Sequence, residues 1–326
     1  MTSEDTDETY VRKFGFRPFT GVRLGRLYRI MSVAWFNLIE SIRRSGFTKF
    51  LLVIMIFNLI IQDVVIIVLA RFVPLEFLGV TLDELFRGAY TDSVLGMVSI
   101  SNRITTTNVG WTSILGLSSA GTSFLWLLLL SVVGGGLIAD DKLHRTTETY
   151  FSRITRLEYV LGKLLSLLLF SAFVLTFPAM LQYVLLCMGL GVGFLNNIGL
   201  VFWAIGFTLL AAIALSMIIL SLSSLTKRRS LASLTLFIVV VLMSSLPSAF
   251  GLWYLSEPVL LLIDFVGCIA LLGAMTLGFS YVTVNGSQIM FYNGLGLEGY
   301  MVVSVVALIF LFGLVIMFTT ILRGDK

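Results

Sequence analysis

Apolar runs separated by clusters of charge set the layout of this chain. They cover about residues 50–69, 113–139, 164–188, 198–225, 231–252 and 300–322. An α-helix needs roughly 20 apolar residues to cross a hydrocarbon core of about 30 Å, so each run is long enough to span a membrane. The pattern predicts an all-α membrane protein with six transmembrane helices. A further apolar stretch, about 258–282, is also long enough to cross. From Gly251 to Ile321, however, there is no Lys or Arg. A seventh crossing would leave an internal loop without positive charge and send Arg323 and Lys326 outside, against the positive-inside rule. We read this stretch as a re-entrant pair of short helices between spans 5 and 6. Ala270, Ala274 and Gly278 supply the small-residue stripe that buried re-entrant backbone requires.

The polar segments orient the spans. Residues 1–9 form an acidic tail, expected to be disordered, without the basic start and apolar core of a signal peptide. Residues 10–49 are a basic linker and connecting helix, with nine Lys or Arg between Tyr10 and Phe50 against the single acid Glu40. Leu24, Leu27, Met31, Trp35, Leu38 and Ile42 recur every three or four residues, with Arg23, Arg26, Arg29, Arg43 and Arg44 mostly on the polar side. That is the pattern of an amphipathic helix lying along the cytosolic membrane surface. Lys227-Arg228-Arg229 marks the same side between spans 4 and 5. The chain is therefore expected in the cell membrane, multi-pass, with both termini cytosolic. Residues 71–112 carry mixed charge and end near Trp111, and they read as the largest external loop. Asn285-Gly286-Ser287 is a glycosylation sequon on the predicted outer side.

Composition narrows the function classes. The chain is 58% hydrophobic and only 12% charged, with a mean hydropathy of +1.01, and its charge is about half that of a soluble domain. Its 326 residues hold six spans and their connectors without room for a nucleotide-binding domain. Neither Gly134-Gly135-Gly136 nor Gly189-x-Gly191-x-Gly193 is followed by the Gly-Lys-Ser/Thr of a phosphate-cradling loop. If ATP drives this protein, another chain binds it. The net charge of +4 comes from basic residues flanking apolar runs, so nucleic acid is not an expected partner. Cys187 and Cys268 lie in apolar runs, with no disulfide framework or metal-ligand spacing around them. His144, the single histidine, stands in a charged loop. No catalytic or metal-binding set emerges, so the chain is not expected to be an enzyme.

Within the first span, Asn58, Gln62 and Asp63 are polar, and Asn58 and Gln62 share a face. Such groups bond to neighbouring helices or line a translocation path, and bonding between helices is the preferred reading. Asp264 in the 258–282 segment lies at an external mouth or pairs with a backbone amide. Pro178 removes a backbone hydrogen bond from the third span. Ala211, Ala212, Ala214 and Ser216 make a close-approach stripe in the fourth.

The long charged segment inside the chain joins spans 2 and 3. Leu143, Thr147, Tyr150, Phe151 and Ile154 fall on one helical face, which predicts a short amphipathic helix over about 140–155. Thr155 and Glu158 have the spacing of a capping box and would start the next helix. Asp140-Asp141, Arg145-Thr146-x-Glu148, Tyr150-x-Ser152-Arg153 and Arg156-x-Glu158-Tyr159-x-x-Gly162-Lys163 resemble the corresponding connector in permease subunits of type-2 ABC transporters. That family has six spans, a connecting helix before the first, and often re-entrant helices between the last two. Its connector forms a coupling helix seated in a cleft of a separate ATPase. The family usually has proline after Ser-Arg. Ile154 stands there in this chain, so the break rests on the Thr155 cap.

The resemblance implies a permease of an ATP-driven exporter. Two such subunits, identical or related, would enclose a path, and two ATPase chains would bind ATP and Mg and dock on the connector. Leu143, Tyr150 and Phe151 would anchor the docking, while Arg145, Thr146, Glu148 and Arg153 would orient it. A secondary transporter or channel needs several mid-membrane ionisable groups or repeats, and here only Asp63 and Asp264 qualify. An intramembrane enzyme lacks convergent catalytic groups, and a non-transporting membrane anchor for an ATPase is the remaining alternative.

Overall fold

In the computed structural model, the described residues are 25–72, 81–98, 104–105, 120–144, 146–151, 154–249, 258–278, 281–284, 287–290 and 298–322. The acidic tail, the linker before residue 25, Trp111 and the terminal Arg323 to Lys326 lie outside them. Six helices are long and apolar enough to cross a bilayer, which makes the chain a multi-pass α-helical membrane protein. They are α2 (Gly46–Phe72), α4 (Ala120–Leu143), α6 (Arg156–Leu190), α7 (Ile198–Leu225), α8 (Arg229–Ala249) and α10 (Gly299–Leu322).

Burial divides each span into a protein face and a face left for lipid. On α2, Leu51, Met55, Leu59, Gln62 and Ile66 are buried at helical spacing, while Phe50, Val53, Phe57, Ile61 and Val64 are exposed. The centre is α4, α6 and α7. Trp126, Leu127, Leu130, Phe170, Ala211, Ala212 and Leu215 are all buried there. Small residues permit the approach, as the Ala211, Ala212, Ala214 and Ser216 stripe predicts. Ser171 and Ser216 share a hydrogen bond of 2.9 Å between α6 and α7, and Thr176 and Thr208 share another of 2.9 Å. The triple glycine of α4 serves the same end. A Cβ on Gly134 would overlap Ile219 of α7, and one on Gly135 would come within 3.1 Å of the Ser233 amide of α8. Helix α6 runs through Pro178 without interruption. It ends at Gly191, whose φ of 73° is open to glycine at little cost.

Ahead of the spans, α1 (Arg26–Arg44) leaves Leu27, Met31 and Trp35 exposed, as a helix at a lipid surface would. Its other side carries Ala34 and Asn37 onto α6. Gly162 makes room there, since a Cβ on it would meet Val33 Cγ1 at 2.7 Å.

Several expectations are corrected. The connector is shorter than residues 140–155, because α4 continues through Asp140, Asp141 and Lys142 to Leu143 and only α5 (Thr146–Phe151) stands between the spans. Those charged residues can extend the span because neighbouring helices supply partners for them. The third span starts at Arg156, where the Thr155 box is formed: Glu158 N donates to Thr155 Oγ1 at 3.3 Å and Thr155 N to Glu158 Oε2 at 3.0 Å. The 71–112 segment is not only a loop. It contains α3 (Leu82–Gly96), opened by a second box at Thr81 and Glu84, and nearly every residue from Leu85 onward is buried. The α3 end is closed by span 2, where Ser123 Oγ donates to Gly96 O and Trp126 Nε1 to Met97 O.

The 258–282 segment is a 3₁₀ turn (Pro258–Ile263) followed by α9 (Phe265–Thr276). Its 12 residues reach about 18 Å at 1.5 Å per residue, too short to cross a bilayer. The segment does not remain helical to 282, because Tyr281 opens a strand. An all-α description therefore omits a small antiparallel sheet in the order β1 (Ile104–Thr105), β2 (Tyr281–Val284), β3 (Ser287–Met290), with Ile104 opposite Val284 and Tyr281 opposite Met290. Its cause is visible only in part locally. Asn285-Gly286, read above as a sequon, follows the β-branched Val282-Thr283-Val284 and is also a hairpin signal. The pairing with residue 104 is long-range.

Candidate functional site

At the connector end of the bundle, one carboxylate ties four elements together. Asp141, in the last turn of α4, receives Lys163 Nζ at 2.8 Å and the Tyr159 hydroxyl at 2.7 Å on Oδ2. Its Oδ1 accepts from Thr146 Oγ1 of α5 at 3.1 Å. Lys163 also donates to Asn37 Oδ1 of α1 at 2.7 Å. The lysine side chain is 2% exposed, so its charge depends on Asp141 and Asn37 in place of water. Tyr159 and Lys163 are four apart on α6 and therefore share a face.

A second layer fixes the neighbours. Arg29 of α1 pairs with Glu158 at 2.8 Å, and the same Glu158 completes the α6 cap. Lys142 Nζ donates to Ser224 O at the end of α7 at 2.6 Å. Arg229, opening α8, donates to Val132 O of α4 through Nη2 at 2.7 Å and Nε at 3.1 Å. Asn37, Glu40, Asp140, Asp141, Lys163 and Arg229 border a cleft of about 90 Å³, which holds a few waters and no sizeable cargo.

Helix α5 rests on this junction by its aromatic side. The Tyr150 and Phe151 rings each lie 5.5 Å from the Tyr159 ring. Arg156 stands 5.5 Å over Phe151, and Lys163 stands 5.9 Å over Tyr150. Burial, and then the charges of Asp141 and Glu40, push the Tyr150 phenol above its ordinary range. The two expected anchors thus spend much of their surface on span 3. Among the described residues, Leu143 and His144 are exposed just before α5, and Thr155, Arg156 and Leu157 are exposed just after it. Thr146 holds Asp141, while Arg145, Arg153 and the side chain of Glu148 lie outside the described residues.

The polar residues of the spans are placed elsewhere. Asn58 is half-buried on α2. Gln62 and Asp63 are buried and reach α3 and α6: Gln62 Nε2 is 3.5 Å from Ser93 Oγ, and Gln182 Nε2 donates to Asp63 Oδ1 at 3.0 Å. Asp63 thus bonds from α2 to α6. Asp264 caps α9, accepting from Gly267 N and Ser244 Oγ at 2.9 Å each. Asn37, Ser93 and Gln182 were not singled out by sequence reasoning, whereas Tyr159 stood in the connector motif. Gln182 had a usable signal, as an amide inside the 164–188 apolar run. Asn37 had none, since a polar residue in an amphipathic helix is ordinary.

No protein-family model matches the chain, and no curated protein matches it.

Proposed function

We propose that this chain is the membrane-spanning subunit of a type-2 ABC transporter, an exporter moved by a separate ATPase that docks at α5. The observation that carries the reading is the Asp141 junction. A docked motor can shift a two-state element only through contacts that differ between its own states. Those contacts must reach the spans without being absorbed on the way. Helix α5 is six residues long and is bound through Asp141, Tyr159 and Lys163 to spans 2 and 3 and to α1. Pulling on it therefore loads three elements at once. The connector motif residues that resemble the family include Asp141, Tyr159 and Lys163, the members of that junction.

In this reading Leu143 and His144 meet the ATPase directly, and Arg145, Glu148 and Arg153 orient it. Tyr150 and Phe151 transmit the movement to Tyr159. The ATPase binds ATP and Mg, and a second permease subunit completes the translocation path against the exposed faces of the spans. The weakly charged spans suit a hydrophobic or amphipathic cargo.

Leu143→Glu tests the docking, because Leu143 is 53% exposed and its replacement leaves the junction intact. In membranes that contain the partner, the variant should lose at least about tenfold of the co-purifying ATPase, identified by its hydrolysis and its nucleotide-binding motif, with unchanged thermal unfolding. Full retention of the ATPase overturns the reading.

A further inference from the structure

We infer that Asp63 is the anionic half of a buried binding site for one positive charge, a proton or a small alkali cation, at the bundle end opposite the connector. This stands whether or not an ATPase docks on α5. Asp63 is 1% exposed, and Gln182 and Tyr90 are fully buried. Helices α2, α3 and α6 meet here. Gln182 Nε2 of α6 donates both to Asp63 Oδ1 of α2 at 3.0 Å and to Ser93 Oγ of α3 at 2.6 Å. The second carboxylate oxygen, Asp63 Oδ2, is buried without a hydrogen-bond partner, as are Gln182 Oε1 and the Tyr90 hydroxyl one turn from Ser93.

A carboxylate taken out of water and given a single neutral amide donor is not compensated. Something positive must complete it. No cation of the described residues does so. On α2 itself, Lys49 and Arg71 are 14 and 8 positions from Asp63, about 21 and 12 Å along the helix, and Arg71 is exposed. On α6 the cations are Arg156 and Lys163, which are engaged at the connector end, and Tyr183 and Cys187 are the titratable groups near Gln182. Helix α4 brings only Asp140, Asp141 and Lys142, again at the connector end. Helix α1 brings Arg26, Arg29, Glu40 and Arg43 there too. From α3, Asp83, Glu84 and Arg87 are exposed, Tyr90 is buried, and Asp92 is buried with contacts of its own, though its Oδ2 accepts no hydrogen bond.

The atoms left open are oxygens: a carboxylate, an amide carbonyl and the Tyr90 hydroxyl. That donor set suits a proton or a hard alkali ion, and it lacks the imidazole and thiolate that favour transition metals. Occupancy would also hold α3 down. The helix is fastened to α6 by the Ser93 contact and by the rings of Phe86 and Tyr90, which lie 5.5 and 5.3 Å from Tyr183. An uncompensated Asp63 would draw water into that seam.

Thermal unfolding of the purified chain in detergent separates the two sources. With N-methylglucamine as the sole added cation, a proton site raises the unfolding midpoint by several degrees on acidification. In alkaline buffer, an alkali site raises it saturably with Li⁺, Na⁺ or K⁺. Asp63→Asn, neutral and isosteric, should abolish whichever response the wild type shows. Indifference of the wild type to both pH and alkali ions overturns the proposal, and so does a variant that keeps the full response. If Asp63→Asn does not fold, infrared spectra of the wild type decide. A buried undissociated carboxyl band lost with alkali or alkalinisation supports the site, and its absence under every condition overturns it.

Discussion

Asp141 and Lys163 show what a buried charge pair requires. Each alone would be a charge held out of water, and together with Tyr159, Thr146 and Asn37 every strong donor and acceptor is matched. Breaking such a pair costs about 3–5 kcal/mol, whereas replacing both members with apolar groups costs far less. Asp141→Ala should therefore destabilise the chain by about that amount in detergent unfolding, because Lys163 is left buried without its counter-ion. The double variant Asp141→Leu with Lys163→Met should recover most of the loss. A double variant that is worse than the sum of its single changes would refute a matched pair. At this scale the sequence shows the charges but not their company. Asp140 and Asp141 are adjacent, and only the rotation of α4 against α6 sends one of them to Lys163.

At the scale of elements, two helices begin with the same device. Thr155 and Glu158 open α6, and Thr81 and Glu84 open α3. The first box was legible because an apolar run follows it. The second was passed over because Asp83, Glu84 and Arg87 make the segment look like a solvated connector. Those three residues are exposed, Asp83 accepting from Asn197 Nδ2 at the start of α7 at 2.6 Å, and the residues after them are buried. Hydrogen bonds from the Thr81 backbone and then its side chain hold the Glu84 carboxyl below its ordinary value of 4.5. A depressed carboxyl stabilises the folded state above that ordinary value, and the contribution disappears as pH falls through the depressed one. The amide protection factors at the start of α3, corrected for the intrinsic pH dependence of exchange, should thus fall on acidification below about pH 4.5. Glu84→Gln keeps a capping group without a titration and should flatten this dependence. An unchanged profile in the variant would assign the effect to another acid.

For the whole molecule, the six spans and the short α9 agree with an even number of crossings. The described termini of the bundle, α1 and the end of α10, then lie on one side, where the start of α6 meets the end of α10 through Arg156 Nη1 donating to Ile321 O at 3.4 Å. A tag appended to Lys326 should be inaccessible from outside in intact cells and become accessible on permeabilisation. Labelling without permeabilisation would require a seventh crossing. The outermost helices, α8 and α10, bury the least of their surface among the spans, so lipid or a second subunit meets them.

What the sequence by itself determined is the class of protein and the number and order of its spans. Each span is a local fact: a hydrocarbon core demands about 20 consecutive apolar residues, whatever the rest of the chain does. The connector motif and the Thr155 cap are local in the same way. Tertiary structure alone decided which polar groups meet. The hydrogen bonds of Asp63 with Gln182, of Lys163 with Asp141 and Asn37, and the pairing of Ile104 with Val284 join residues far apart in the chain. Their formation depends on helix rotation and depth, which hydropathy does not encode. For the same reason α3 was hidden in a loop: its burial comes mainly from α6 and α9 packing on it, and little in its own composition announces that cover.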